Sequence, residues 1–205
     1  MVCNSCMKKT PDNSIYCIHC GAKIIRTLPD PKFSVSIHYK VDERAVSNFV
    51  EILNDNLAKV ENKNQVIAAL EAAERKGSEI AQLVKIFRSF VEVSEHDAET
   101  CMRTWSGQAH NKTAWQRTRE YAPYKEWLPA PNSDRTRPSH GAMNGVIIPV
   151  DEYFVVPGFI DRFTKETIPE ALMMYPGDVS RNPHKSQVCR CRCTLAPRFT
   201  NKKRK

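Results

Sequence analysis

Apolar positions along this chain change period twice. From Val41 they fall at helical spacing, with Ala45, Val46, Phe49, Val50, Leu53, Leu57 and Val60 on one face. Asp42 and Glu43 suit the first turn of that helix, where unpaired N–H groups and the macrodipole favour carboxylates. A second helical stretch is expected over about 64–91, with Val66, Ile67, Leu70, Ala73, Ile80, Leu83, Val84, Phe87 and Phe90 as its stripe. Gly77 is the point where it bends or splits. Ser94-Glu95-His96-Asp97 reads as an N-cap with an acid three residues on, opening a third helix that runs to about Tyr121. These stripes are core faces or a docking surface, and no heptad run persists long enough for a free coiled coil.

Past Ala122-Pro123 the helical period is lost. Residues 124–128 and 146–150 read as strands joined by a polar turn from Asn132 to Gly145. Residues 151–188 hold four prolines and mixed apolar runs, an irregular insertion with one helix expected near Ile168–Met174. Cys189 to Leu195 is expected as a final short strand. Upstream, Leu28-Pro29-Asp30-Pro31 breaks the chain, and Phe33–Tyr39 alternates enough for one strand within a linker.

The first twenty residues carry a different signal. Cys3-Asn4-Ser5-Cys6 and Cys17-Ile18-His19-Cys20 are two Cys-x-x-Cys knuckles ten residues apart, the spacing of a zinc ribbon. So short a segment buries no core of its own, so the metal would supply its folding free energy. Two local disulfides or a redox Cys-x-x-Cys would use the same residues, and His19 reads as a loop residue outside the ligand set. The expected architecture is α+β. It comprises a zinc ribbon at 1–27, a linker at 28–40, a helical hairpin or bundle at 41–100, a compact α+β domain with a small antiparallel sheet at 101–197, and a basic tail at 198–205.

Charge refines this picture. The 205 residues carry a net +8, unevenly placed. Residues 41–100 hold twelve acidic against seven basic side chains, residues 101–140 seven basic against three acidic, and everything from Arg190 onward seven basic and none acidic. Lys202, Lys203, Arg204 and Lys205 end the chain as a phosphate-neutralising arm or a plain solubilising terminus. No apolar run approaches the roughly 20 residues that span a bilayer, and no charged-then-apolar signal peptide is expected, so no membrane partner is expected; the ribbon's thiols call for a reducing compartment, so the expected setting is intracellular.

Three stretches of the second half carry the candidate chemistry: Asp134-Arg135-Thr136-Arg137-Pro138-Ser139-His140 with Asn144-Gly145 behind it, Pro176-Gly177-Asp178, and Cys189-Arg190-Cys191-Arg192-Cys193. His140 with Cys189, Cys191 and Cys193 is a candidate second zinc site. A straight strand would put the three thiols on one face, which suits buried small side chains better than ligands unless the chain bends. The same alternation would pair Arg190 and Arg192 on the other face as a phosphate or carboxylate clamp. Asp134, Arg135, Arg137 and His140 form either a self-bonded polar turn or an active turn with a catalytic histidine. No nucleophile elbow, phosphate-binding glycine loop or His-Glu-x-x-His helix is present.

In order and spacing, Arg103-Thr104, Trp127, Asp134 to His140, Asn144-Gly145, Pro176-Gly177-Asp178 and Cys189-Arg190-Cys191 resemble the phage head-morphogenesis family, the minor head proteins of the phage Mu type. The chain departs from the family pattern at Trp105 and Val188, where an acid and an asparagine are usual. The resemblance covers about 101–195. It implies a virion protein acting near the portal in capsid assembly and in DNA packaging or ejection. Portal and capsid proteins would be its partners, together with DNA, and the host cytoplasm its setting during assembly. The acidic helices suit docking on protein, and the basic stretches suit DNA. The competing expectation is a nucleic-acid-cleaving enzyme or effector that works through the Asp134–His140 turn.

Overall fold

The computed structural model describes residues 41–130 and 136–201. The amino-terminal knuckles, the strand expected at 33–39, Asp134, Arg135 and the last four residues lie outside the described residues. Within them the fold is α+β, with six helices and small antiparallel sheets.

The helical half follows its apolar pattern. Helix α1 (Glu43–Asn56) is capped by Asp42, whose side chain accepts from Arg44 N at 3.2 Å. The long second stripe divides into α2 (Lys63–Arg75) and α3 (Ile80–Phe90). Gly77 makes the break. It takes φ +70°, and Ser78 N and Gly77 N return to the carbonyls of Ala73 and Glu74 at 3.1 and 2.9 Å, the paired bonds of a Schellman end. Helix α4 (Glu95–Tyr121) begins at Ser94, whose hydroxyl accepts from Asp97 N at 3.1 Å and donates to the Asp97 carboxylate at 2.7 Å. Phe49, Leu53, Val66, Leu70, Leu83, Phe87 and Met102 form the core between these helices, where Phe87 meets Trp105 edge-on with centroids 5.7 Å apart.

Helix α4 has no single apolar face. Thr104, Gln108, Asn111, Thr113 and Thr118 are buried along with Ala98, Met102 and Trp105. One flank packs on α1 and α3 and another on the strands. Residue 100, where the helical and α+β segments were expected to meet, therefore falls inside a continuous helix. Buried amides tie the layers together: Asn48 Nδ2 donates to Thr113 Oγ1 at 2.8 Å and to Gln116 Oε1 at 2.9 Å.

After α4 come β1 (Tyr124–Leu128), α5 (Pro138–Ala142), β2 (Ile147–Pro149), β3 (Phe154–Val156), β4 (Phe159–Ile160), β5 (Thr167–Ile168), β6 (Ala171–Met173), α6 (Lys185–Val188) and β7 (Thr194–Arg198). Strand β1 is the centre of an antiparallel sheet ordered β2-β1-β7, with Trp127 opposite Leu195. Strands β3 and β6 form a second antiparallel pair, β4 and β5 a third. The helix expected over 168–174 is thus two strands. Pro169 separates them, and Ala171 and Met173 are buried while Leu172 is 43% exposed, the period of two that a strand imposes. The strand expected from Cys189 starts only at Thr194, because Arg190 at φ +52° turns the chain first. The polar turn after β1 contains the short helix α5.

Trp127, Met143, Phe154, Met173, Cys193 and Leu195 build the second core. Lys125 lies in β1 with no exposed surface, its Nζ donating to Met174 O at 2.7 Å and sitting 5.2 Å from the Phe154 ring centroid. Burial pulls its pKa down to about 8, against the opposing pull of the Asp151, Asp178 and Glu152 carboxylates. Between pH 8 and the ordinary lysine value the unfolded chain holds the proton that the folded chain has released, so stability rises with pH across that window. Lys125→Met should remove this rise. Its unfolding free energy relative to the unaltered protein should change by about 3 kcal/mol from pH 7.5 to pH 10.5, read from urea denaturation at each pH. Parallel pH profiles for the two proteins would rule the assignment out.

Candidate metal centre

Arg103-Thr104, Pro176-Gly177-Asp178 and the cysteine-bearing segment meet along α4, and most of their contacts are structural ties. Asn111 is 2% exposed, and its Nδ2 donates to Pro176 O and to Cys193 O, each at 2.9 Å. Gly177 takes φ +87° over the Gln108 side chain, where a Cβ would come within 3.3 Å of Gln108 Cγ. The neighbouring carboxylate of Asp178 is buried and accepts from Met174 N at 2.8 Å and from Ser180 N and Oγ at 2.9 Å. Thr104 Oγ1 accepts from Arg190 N at 2.9 Å. Glu99 takes Arg103 Nε at 2.7 Å and Arg190 Nη2 at 3.1 Å, and Arg103 leads in holding its carboxyl below the usual range. Thr104 and Glu99 of α4 are therefore a latch for the loop that carries the cysteines, with Arg103 bracing Glu99.

From the other side, Arg137 Nη2 donates to Cys189 O. Ser139 Oγ meets Gln187 Oε1 at 3.2 Å, and the fully buried Gln187 donates from Nε2 to Pro157 O and Pro169 O at 3.1 Å. These bonds seat α5 against the segment after α6 and bring His140 to the thiols. The His140 ring is 1% exposed and stands edge-on to Trp127 at 5.4 Å between centroids. Its Nδ1 is 3.5 Å from Cys191 Sγ and 3.4 Å from Cys193 Sγ, and the three atoms lie within 4.8 Å of one another. Its Nε2 is buried with no hydrogen-bond partner among the described residues.

The bend at Arg190 removes the alternation a strand would have imposed, and it lets two thiols reach one imidazole. The cluster does not include Cys189. Cys191 beside it, with His140 and the Trp127 indole, outweighs burial and pulls the Cys193 pKa down to about 5, and contact with Cys193 pushes Cys191 well above the thiol range. Two sulfurs and an imidazole are a soft donor set that can hold a metal ion. Cys191 and Cys193 also wall a cleft of about 1200 Å³ between α4 and the β4–β5 hairpin, which Arg103, Arg162 and Lys185 line as well.

Of the residues singled out by sequence, His140, Cys191 and Cys193 come together. Arg137 is turned to the Cys189 carbonyl, Arg190 grips Glu99, a carboxylate of the chain itself, and Arg192 is exposed on the cleft wall. Cys3, Cys6, Cys17, Cys20, Asp134, Arg135, Lys202, Lys203, Arg204 and Lys205 lie outside the described residues. Asn111 and Gln187 carry no sequence signal, because a single buried amide makes no pattern.

The family model of phage Mu protein F-like proteins matches residues 64–196. No curated protein and no solved structure matches the chain. The matched span is well over half of the sequence and holds every signature from Arg103 to Cys191. This protein belongs to the family of phage Mu protein F-like proteins.

Proposed function

We propose that the chain is a minor head protein of a phage particle, present at or near the portal and active in capsid assembly and in DNA packaging or ejection. The family match over 64–196 carries this reading. Charge adds to it: the acidic segment 41–100 suits docking on capsid or portal protein, and the basic terminus suits packaged DNA. The expected ribbon at 1–27, with zinc on Cys3, Cys6, Cys17 and Cys20, would be an added docking or nucleic-acid module. Assembly would proceed in the host cytoplasm and leave the protein in the virion.

The alternative, cleavage of nucleic acid by the Asp134–His140 turn, needs an imidazole that reaches a phosphodiester. His140 itself is 1% exposed and Arg137 is bonded to the Cys189 carbonyl, which favours assembly. Mass spectrometry of purified heads from the encoding phage should find the chain, and its deletion should lower the yield of DNA-filled heads. Absence from heads together with normal packaging in the deletion would sink the proposal. Plasmid cleavage by the purified chain that is lost in His140→Ala, with incorporation into heads retained, would favour the enzyme.

A further inference from the structure

We infer that His140, Cys191 and Cys193 form a mononuclear site for a soft divalent metal of the zinc class, with three protein ligands and a fourth position on the cleft side. The inference stands independently of the role in head assembly.

Distance is the first argument. Zinc binds thiolate sulfur at about 2.3 Å and imidazole nitrogen at about 2.0 Å, so tetrahedral angles place a sulfur and a nitrogen of one site roughly 3.5 Å apart. The two Nδ1···Sγ distances are 3.5 and 3.4 Å. A thiol–imidazole hydrogen bond would have similar length, but it needs only one sulfur. Here both sulfurs stand at that distance from one nitrogen, and all three atoms lie within 4.8 Å of one another.

Support of the ligands is the second argument. The segments that carry them are held by contacts that do not involve the donor atoms, and Cys191 N itself donates to Val188 O at 3.1 Å. The Cys193 carbonyl is bonded to Asn111, and Arg190 N between the thiols and α6 is bonded to Thr104. His140 stands edge-on to Trp127, and its neighbour Ser139 is bonded to Gln187. Donors positioned this way lose little freedom on binding an ion.

The third argument separates a closed structural site from an open one. His140 lies on the core side against Trp127, while both cysteines line the cleft. Cys189 lines the same cleft but is not in the cluster, and its carbonyl is held by Arg137. With no fourth side chain in the cluster among the described residues, solvent or a small ligand from the cleft completes the tetrahedron, as in sites that keep an exchangeable position.

The test is cobalt substitution in the full chain, stripped with chelator and titrated with Co²⁺. Replacing Cys3 and Cys6 by serine silences the expected ribbon. That variant should still bind one equivalent with the near-ultraviolet absorption of thiolate-to-cobalt charge transfer, and adding Cys193→Ser should abolish it. Cys189→Ser should leave stoichiometry and charge-transfer intensity unchanged. Failure of the Cys3/Cys6 variant to bind cobalt, with an unaltered far-ultraviolet circular dichroism spectrum, overturns the site. Because that variant keeps all three proposed ligands, its result stands whether or not Cys193→Ser folds. A one-third loss of charge-transfer intensity in Cys189→Ser would make the site closed, and overturn the open position.

Discussion

Trp127→Ala should destabilise the protein by about 4 kcal/mol, the cost of emptying a fully buried indole site that cannot collapse. Trp127 has no exposed surface and stands edge-on to Phe154 at 5.2 Å and to His140 at 5.4 Å. It is on the central strand β1, opposite Leu195 of β7, so neither backbone can move in to close the void. A domain of ordinary stability holds only about 5–15 kcal/mol in total. The change would bring this one close to its unfolding threshold. Trp127→Phe keeps part of the packing and should cost clearly less. Urea denaturation followed by circular dichroism decides the matter, and equal midpoints for the alanine variant and the unaltered protein would mean that the tryptophan is not the keystone its burial implies.

Asn111→Ala comes next, at about 3 kcal/mol. The amide donates to two buried carbonyls, Pro176 O and Cys193 O, from segments far apart in the chain. An acceptor left buried and unpaired costs roughly 1–3 kcal/mol. Asn111→Asp sharpens the test, because it keeps the shape but replaces both donors with a charged acceptor facing two carbonyls. It should be the worse of the two. If the aspartate variant unfolds at the same urea concentration as the unaltered protein, the amide carries no such role.

Much of the fold could be read from residues in order, and the reason is locality. The stripes of α1 to α3, the Ser94 cap and the Gly77 break each depend on contacts within a few turns, so the pattern states them directly. Strands β3 to β6 are two or three residues long, and no period can establish itself over so few positions. Helix α4 hid its role for a different reason: a helix buried on several sides by threonine, glutamine and asparagine shows no stripe. The candidate metal centre was half readable. The histidine and cysteines stand out as residue types, but their meeting depends on Arg190 adopting a left-handed conformation that its own sequence context does not demand. The latch through Glu99 and Thr104 that holds this turn spans more than eighty residues.

Because one rod, α4, supplies a wall to both cores, neither half owns a complete interior. Residues 41–201 should then melt as a single cooperative event, with helical and aromatic signals lost at one temperature. Severing the rod near its middle would leave two fragments that are each short of a surface to close on.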